Sequence, residues 1–135
     1  MAITLSYPKP RSTQVKMASF VGNVATAQSL MVLPKDAVIA GVYIIGAANA
    51  TAAATDTTVD VSGGSDANGI VAAYNLETGG LGYNPVAATA GVLVGTKLAA
   101  DTTVAATLSA AVAGDAALSW TLKVEYFVTG PGETL

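Results

Sequence analysis

The sequence predicts an all-β protein: a two-sheet β-sandwich or jelly roll of about eight strands, with an extended N-terminal arm. Three observations lead there. Several short stretches alternate apolar and polar residues with a period of two, the repeat of a half-buried strand. Turn-forming clusters of Gly, Pro, Asn and Asp separate these stretches at short intervals. Apolar residues make up 52% of the chain and charged ones 11%, the reverse of an intrinsically disordered composition. At 135 residues the chain suits one domain and can bury a core without covalent staples. Residues 1–12 are expected to form the arm, 13–130 the sandwich and 131–135 a tail.

Taken in order, Tyr7-Pro8-Lys9-Pro10-Arg11 alternates prolines with other residues. Proline fixes φ and removes an amide donor, so this piece should be extended and lie outside any central sheet. Val15–Val21 places Val15, Met17, Ser19 and Val21 on one face and Lys16, Ala18 and Phe20 on the other. Ala27–Leu33 is the next expected strand, broken by Pro34-Lys35-Asp36. Val38–Ile45 is β-branched and aromatic, and its near-continuous apolarity implies burial on both faces. Ala47–Thr55 reads as a loop or a continuation of that strand. Thr57–Val61 alternates as a strand, and Ser62-Gly63-Gly64-Ser65-Asp66 is a strong turn signal.

Ile70–Leu76 fits a short strand or a single helical turn. Glu77–Pro85 reads as a loop, with three glycines and a proline. Its Leu81 and Tyr83 either tuck under the sheet or serve as contact residues. Val92–Lys97 and Thr102–Leu108 are further expected strands. Alanine makes Leu98–Ala113 helix-compatible on propensity, but its Thr and Val residues and the closing Gly114-Asp115 favour strand-turn-strand. The last strand is the clearest. Leu118, Trp120, Leu122, Val124, Tyr126 and Val128 alternate with Ser119, Thr121, Lys123, Glu125 and Phe127. Trp120, the sole tryptophan, sits on the apolar face and is expected in the core, not as a platform for a sugar.

Composition narrows the chemistry. The chain has no cysteine and no histidine, so disulfides and thiolate metal sites are excluded, and the commonest general base is missing. No Ser-x-x-Lys or Gly-x-Ser-x-Gly pattern occurs. Most of the nine acids fall at expected turns, where Asp bends the chain. Asp56, Asp60 and Asp66 flank the Gly63-Gly64 turn, but their spacing matches no EF-hand loop. No catalytic residue, metal site or cofactor is predicted, and the chain is not expected to be an enzyme. The longest apolar run, Ala37–Ala48, is twelve residues, against about 20 for a spanning helix. Residues 1–13 lack the apolar core of a signal peptide.

Charge is unevenly placed. Lys9, Arg11, Lys16 and Lys35 precede any acid, and nine acids then face only Lys97 and Lys123. The first 35 residues thus carry +4 and the rest −7, giving the net −3. A basic arm on an acidic body suits docking on an acidic protein surface. Four scattered cations do not make a nucleic-acid patch. The residues predicted to meet a partner are Tyr7, Lys9, Arg11 and Lys16, with Leu81 and Tyr83.

Leu33-Pro34-Lys35-Asp36-Ala37-Val38-Ile39-Ala40-Gly41-Val42-Tyr43 resembles a motif of small structural proteins of tailed bacteriophages, a Leu-Pro-x-x-Ala-x-Ile turn leading into an apolar strand. Thr58–Asn68 is similar to a strand and Gly/Asp turn of the same proteins, and Trp120–Tyr126 to their closing strand. Ala47–Thr55 departs from the pattern. The resemblance implies a capsid decoration (cement) protein. Such a protein is a homo-oligomer, dimer or trimer, made in the host cytoplasm and carried on the outer surface of the capsid. Its partners are the major capsid protein and itself, with no nucleic acid or membrane. The alternative from the residues is a carbohydrate-binding or adhesion module of a phage tail or fibre, motivated by Tyr83.

Overall fold

The computed structural model describes residues 13–51, 57–86, 90–110 and 118–130. Eight strands occur among them: β1 (Gln14–Val21), β2 (Gln28–Leu33), β3 (Ala37–Gly46), β4 (Thr58–Gly63), β5 (Asp66–Asn75), β6 (Gly82–Pro85), β7 (Thr102–Leu108) and β8 (Ser119–Val128). One helical turn, α1 (Leu76–Gly79), lies between β5 and β6. The strands form two antiparallel four-stranded sheets, ordered β1-β8-β3-β6 and β2-β7-β4-β5. Pairing is nested: β1 on β8, β2 on β7, β3 on β6 and β4 on β5. The chain is one long hairpin rolled into a sandwich, the topology of a jelly roll. Its central bend is Gly64-Ser65, where Gly64 takes a φ of 59°, a left-handed conformation that costs glycine little.

Alternation decides which side chains meet. From the first sheet, Phe20, Ile39, Val42, Ile44, Trp120, Leu122 and Val124 point inward and are buried; from the second, Leu33, Val59, Val61, Val104, Ala106 and Leu108 face them. The sandwich and jelly-roll expectation holds, as does the placement of Trp120 in the core, where it is 1% exposed. Its indole N–H donates to the Ala48 carbonyl at 2.9 Å, and its ring lies 5.9 Å from that of Phe20.

Some element boundaries differ from the sequence reading. Val92–Lys97 is not a strand. Gly91 precedes it and Gly95 lies within it, turns close at Val94 and Thr96, and isolated bridges tie Val94 to Ile39 and Lys97 to Val38. The supposed loop Glu77–Pro85 instead holds most of α1 and all of β6. The alternatives for Ile70–Leu76 both occur in part, since β5 runs to Asn75 and α1 starts at Leu76. Asn75 caps that turn, its side chain accepting from the amides of Glu77 and Thr78, as an N-cap does. Burial of β3 on both faces holds only near its start, where Val38 is 4% exposed beneath the Lys97 segment; further along, Tyr43 and Ile45 face outward and are half-buried. The N-terminal arm, Asp56, residues 111–117 and the C-terminal tail lie outside the described residues.

Each sheet edge is guarded in its own way. At the shared edge of β1 and β2, the Gln28 carboxamide accepts from the Val21 amide at 2.9 Å and donates to the Val21 carbonyl at 3.0 Å, doing what a neighbouring strand would. In return, the Lys16 ammonium of β1 donates to the Val32 carbonyl of β2. The β5 edge is covered by Gly91 and Leu93, whose amides donate to the Ile70 and Gly69 carbonyls at 2.8 Å. The β6 edge is four residues long and ends in Pro85.

Candidate functional site

The two outer faces of the sandwich differ in chemistry. On the second sheet, the rows Asp60–Thr107 and Ser62–Ala105 carry small side chains, and Val32 is exposed beside Thr103 at the β2 side. Asp60 is engaged there, its carboxylate accepting from the Ala73 amide at 2.7 Å. Among the described residues no three of His, Cys, Asp and Glu gather to hold a metal ion.

The outer face of the first sheet is aromatic and apolar. Register sets it out in rows: Val15–Glu125–Gly41, then Met17–Lys123–Tyr43–Pro85, then Ser19–Thr121–Ile45–Tyr83. Val15, Met17 and Tyr83 are exposed, as is Leu81 beside them. Tyr43 and Tyr83 stack, with ring centroids 5.0 Å apart and planes tilted by 35°. The Lys123 ammonium donates to the Tyr83 hydroxyl at 2.6 Å and pairs with Glu125 at 3.2 Å. It also lies 5.0 Å from the centre of the Tyr83 ring and 5.2 Å from that of Tyr43, within cation–π range. The hydrogen bond to Tyr83, then that to Glu125, raises the Lys123 pKa above its ordinary value. A Cβ at Gly41 would stand 3.1 Å from the Tyr43 ring and 3.2 Å from the Glu125 carboxylate, so glycine there leaves both groups their place.

The strand-end loop that presents Leu81 and Tyr83 is tied down. The Asn84 side chain donates to the carbonyls of Gly79 at 2.9 Å and Leu81 at 3.0 Å. The Leu81 amide donates to the Asn49 side chain, and the Tyr74 hydroxyl, its pKa raised by burial, donates to the Gly79 carbonyl. The apolar side chains are therefore held outward by a pre-formed scaffold. Beside Tyr43, an apolar hollow of about 200 Å³ is lined by Ala40, Gly41, Tyr43, Pro85, Val86 and Val94, among others.

Of the residues predicted to meet a partner, Leu81 and Tyr83 sit on or beside this face, 59% and 53% exposed; they do not tuck under the sheet. Lys16 is elsewhere. Register puts it beside Val124 on the inward side of β1, where it ties two strands together. Tyr7, Lys9 and Arg11 lie outside the described residues. Tyr43, Lys123 and Glu125 escaped sequence reasoning. Lys123 and Glu125 are the polar phase of β8's alternation, and Tyr43 is one phase of β3, so pairing these two strands in register would have found them.

No family model and no curated protein sequence matches the chain. Solved structures do. The chain is similar to one in a cyanophage Pam1 capsid asymmetric unit, with a TM-score of 0.69 and 22% identity over 96% of this chain and 94% of that one. It is similar to a chain in the acid-stable capsid of Helicobacter pylori bacteriophage KHP30, with a TM-score of 0.67 and 18% identity over 89% and 91%. A chain in the capsid of Ralstonia phage GP4 matches with a TM-score of 0.66 and 19% identity over 95% and 92%. At these identities the likeness establishes a shared fold.

Proposed function

We propose that the chain is a structural protein of a bacteriophage virion, a decoration protein that binds the outer capsid surface and clamps neighbouring capsid subunits. One observation carries this reading: three chains of the same fold, each matched over nine-tenths or more of its length, come from structures described as phage capsids. The sequence motifs around Leu33–Tyr43 and Trp120–Tyr126 point the same way independently. The reading requires no catalytic residue and no cofactor.

The mechanism is thermodynamic. A protein that binds only the assembled lattice stabilises it by mass action. A homo-oligomer engages several capsid subunits at once, so weak contacts combine through avidity. The aromatic outer face is the association surface, and the basic arm adds contacts to acidic protein surfaces. The test is to strip the protein from virions, add back the full chain or a chain lacking residues 1–12, and image the heads by cryo-electron microscopy. The full chain is expected to restore regularly placed surface density and heat resistance, and the truncated chain to bind more weakly. Absence of the protein from purified heads, or its presence only on tails, overturns the assignment. Unchanged affinity of the truncated chain removes the arm from it.

A glycan-binding reading would use the same Tyr83. One face of its ring is already covered by Tyr43 and Lys123 approaches it, which leaves a pyranose little free surface. A glycan array on which binding appears and is lost in Tyr83→Ala would favour that alternative.

A further inference from the structure

We propose that Asn68 is a site of spontaneous deamidation whose isoaspartate product loosens the cover of the β5 edge. The proposal goes beyond the capsid reading and does not depend on it.

The chain has five asparagines, and Asn68-Gly69 is its one Asn-Gly step. An asparagine deamidates when the next backbone nitrogen closes on its side-chain carbonyl. A glycine there brings no Cβ to obstruct the approach and leaves the backbone mobile. The other four are poorly placed. The side chains of Asn49, Asn75 and Asn84 are held in hydrogen bonds. Asn84 also precedes Pro85, which has no amide hydrogen to give up. Asn23 precedes Val24, whose branched side chain crowds the attacking nitrogen. Asn68 is exposed, and among the described residues its side chain has no hydrogen-bond partner. Its backbone is also out of the regular ladder. Register steps from Gly63↔Asp66 to Val61↔Val71, so Ala67–Ile70 stand opposite Ser62 alone, as an enlarged bulge.

Water is the only co-reactant. The Gly69 nitrogen bonds to Asn68 Cγ and gives up its proton, the Cγ–Nδ2 bond breaks, and ammonia leaves. Water then opens the cyclic imide. Opening at Cγ gives aspartate. Opening at the main-chain carbonyl gives isoaspartate: the chain now runs through the side chain, a methylene longer, and the former main-chain carbonyl becomes a free carboxylate. That carbonyl is crowded. A Cβ on Gly91 would stand 2.3 Å from the Asn68 carbonyl oxygen and from the carbonyl carbon and oxygen of Gly69, so the covering backbone lies directly against this step. The amides of Gly91 and Leu93 donate to the Ile70 and Gly69 carbonyls at 2.8 Å, while those of Gly95 and Leu98 tie the same segment to Ile39 and Ala37 of β3 at 2.9 Å. A longer, newly charged chain at residue 68 displaces the Gly69 carbonyl. It frees the β5 side of the covering segment and leaves the β3 side bonded.

The test incubates the full-length chain and a peptide of residues 65–72 side by side in mildly alkaline buffer. Residue 68 is followed by mass-spectrometric peptide mapping, with isoaspartate told from aspartate by its backbone fragmentation. Asn68 of the folded chain is expected to convert less than about a hundredfold more slowly than the peptide, as at a site opened by local fluctuation. The other asparagines stay intact, and Asn68→Gln abolishes the product. Slower conversion than this, as at a site reached only through global unfolding, or equal conversion at Asn23, overturns the proposal. Amide hydrogen exchange then reads the cover in aged chains, enriched by anion exchange through their added charge. Gly91 and Leu93 are expected to exchange about tenfold or more faster than in the fresh chain, with Leu98 unchanged. The Asn68→Asp chain carries the charge without the extra methylene and is expected to exchange like the fresh chain. Unchanged exchange at Gly91 and Leu93 in the aged chains, or equally fast exchange in Asn68→Asp, overturns the loosening by isoaspartate. Head binding is read separately, by the virion experiment.

Discussion

Gly46→Ala places one methyl group at the tightest contact around the core tryptophan. An added Cβ would stand 2.3 Å from the Gly80 carbonyl oxygen and 2.4 and 2.9 Å from Cδ1 and Nε1 of Trp120. The backbone oxygen cannot rotate away, so β3 must part from the α1–β6 connection or the indole must move. Overpacking of this kind costs about 1–3 kcal/mol. Moving the indole also breaks its bond to Ala48, worth about 1 kcal/mol. The expected destabilisation is thus about 3 kcal/mol, or about a 10 °C fall in Tm for a domain of this size. The assay is urea unfolding followed by Trp120 emission, which reports from the clash itself because no other tryptophan exists. Native emission should shift to the red as the indole leaves its pocket. Gly95→Ala is the control. Its φ is 81° and nothing lies within 4 Å of the added Cβ, so it costs only about 1 kcal/mol of backbone strain and leaves emission unchanged. A Gly46→Ala protein with native emission and a loss below about 0.5 kcal/mol would refute the packing argument.

Three further outcomes are expected. Gln28→Ala should cost about 1 kcal/mol by leaving the Val21 amide and carbonyl without their strand-like partner, and Gln28→Ala with Lys16→Ala should aggregate through the opened edge, read by thioflavin fluorescence; a soluble, monodisperse double variant would contradict the edge-closing role. Ala73 holds a φ of 49°, a region unfavourable to residues with a Cβ, so Ala73→Gly should be stabilising by up to about 1 kcal/mol in chemical denaturation, and a clear loss of stability would count against it. The raised pKa of Lys123 means that its stabilising contribution is fully present below the unfolded-chain value of 10.5 and is lost as pH rises through the higher folded value. The stability difference between wild type and Lys123→Met should therefore stay constant across neutral pH and shrink only in strong alkali; a difference that already falls near neutrality would show that Lys123 is not held by Tyr83 and Glu125.

Legibility in the sequence followed how far each signal depends on neighbours. β8 announces itself, because its alternation reflects one buried and one outer face along its whole length. β6 was missed because four residues containing Gly82 and Pro85 carry no period of their own; they become a strand only because β3 offers an edge. Val92–Lys97 erred the other way. Its β-branched residues suit a strand, but Gly91 and Gly95 bend it so that single bridges replace a ladder. The two errors offset each other in the strand count. Tyr83 was visible because it stood alone in a Gly-rich stretch. Its companions were not, since Tyr43, Lys123 and Glu125 lie on two strands 80 residues apart in sequence and meet only through β3–β8 register. Lys16 was read from charge alone, yet an inward-facing lysine on an edge strand is a familiar guard against edge pairing.

That guard bears on how the molecule associates. Sheets grow through edges when main-chain donors and acceptors are left open, and the described edges here are bonded by side chains, covered by a loop, or cut short at a proline. Guarded edges favour contacts made by side chains on the faces. The second sheet presents Ser, Thr and Ala, which offer little area to bury. The first presents two tyrosines, Met17 and Val15 around one ion pair, with Leu81 beside them on a connection fixed by Asn84 and Asn49. Rigid, exposed aromatics lose little entropy on contact and carry a disproportionate share of interface energy. Guarded edges together with one aromatic face favour contacts through that face over growth through the strands.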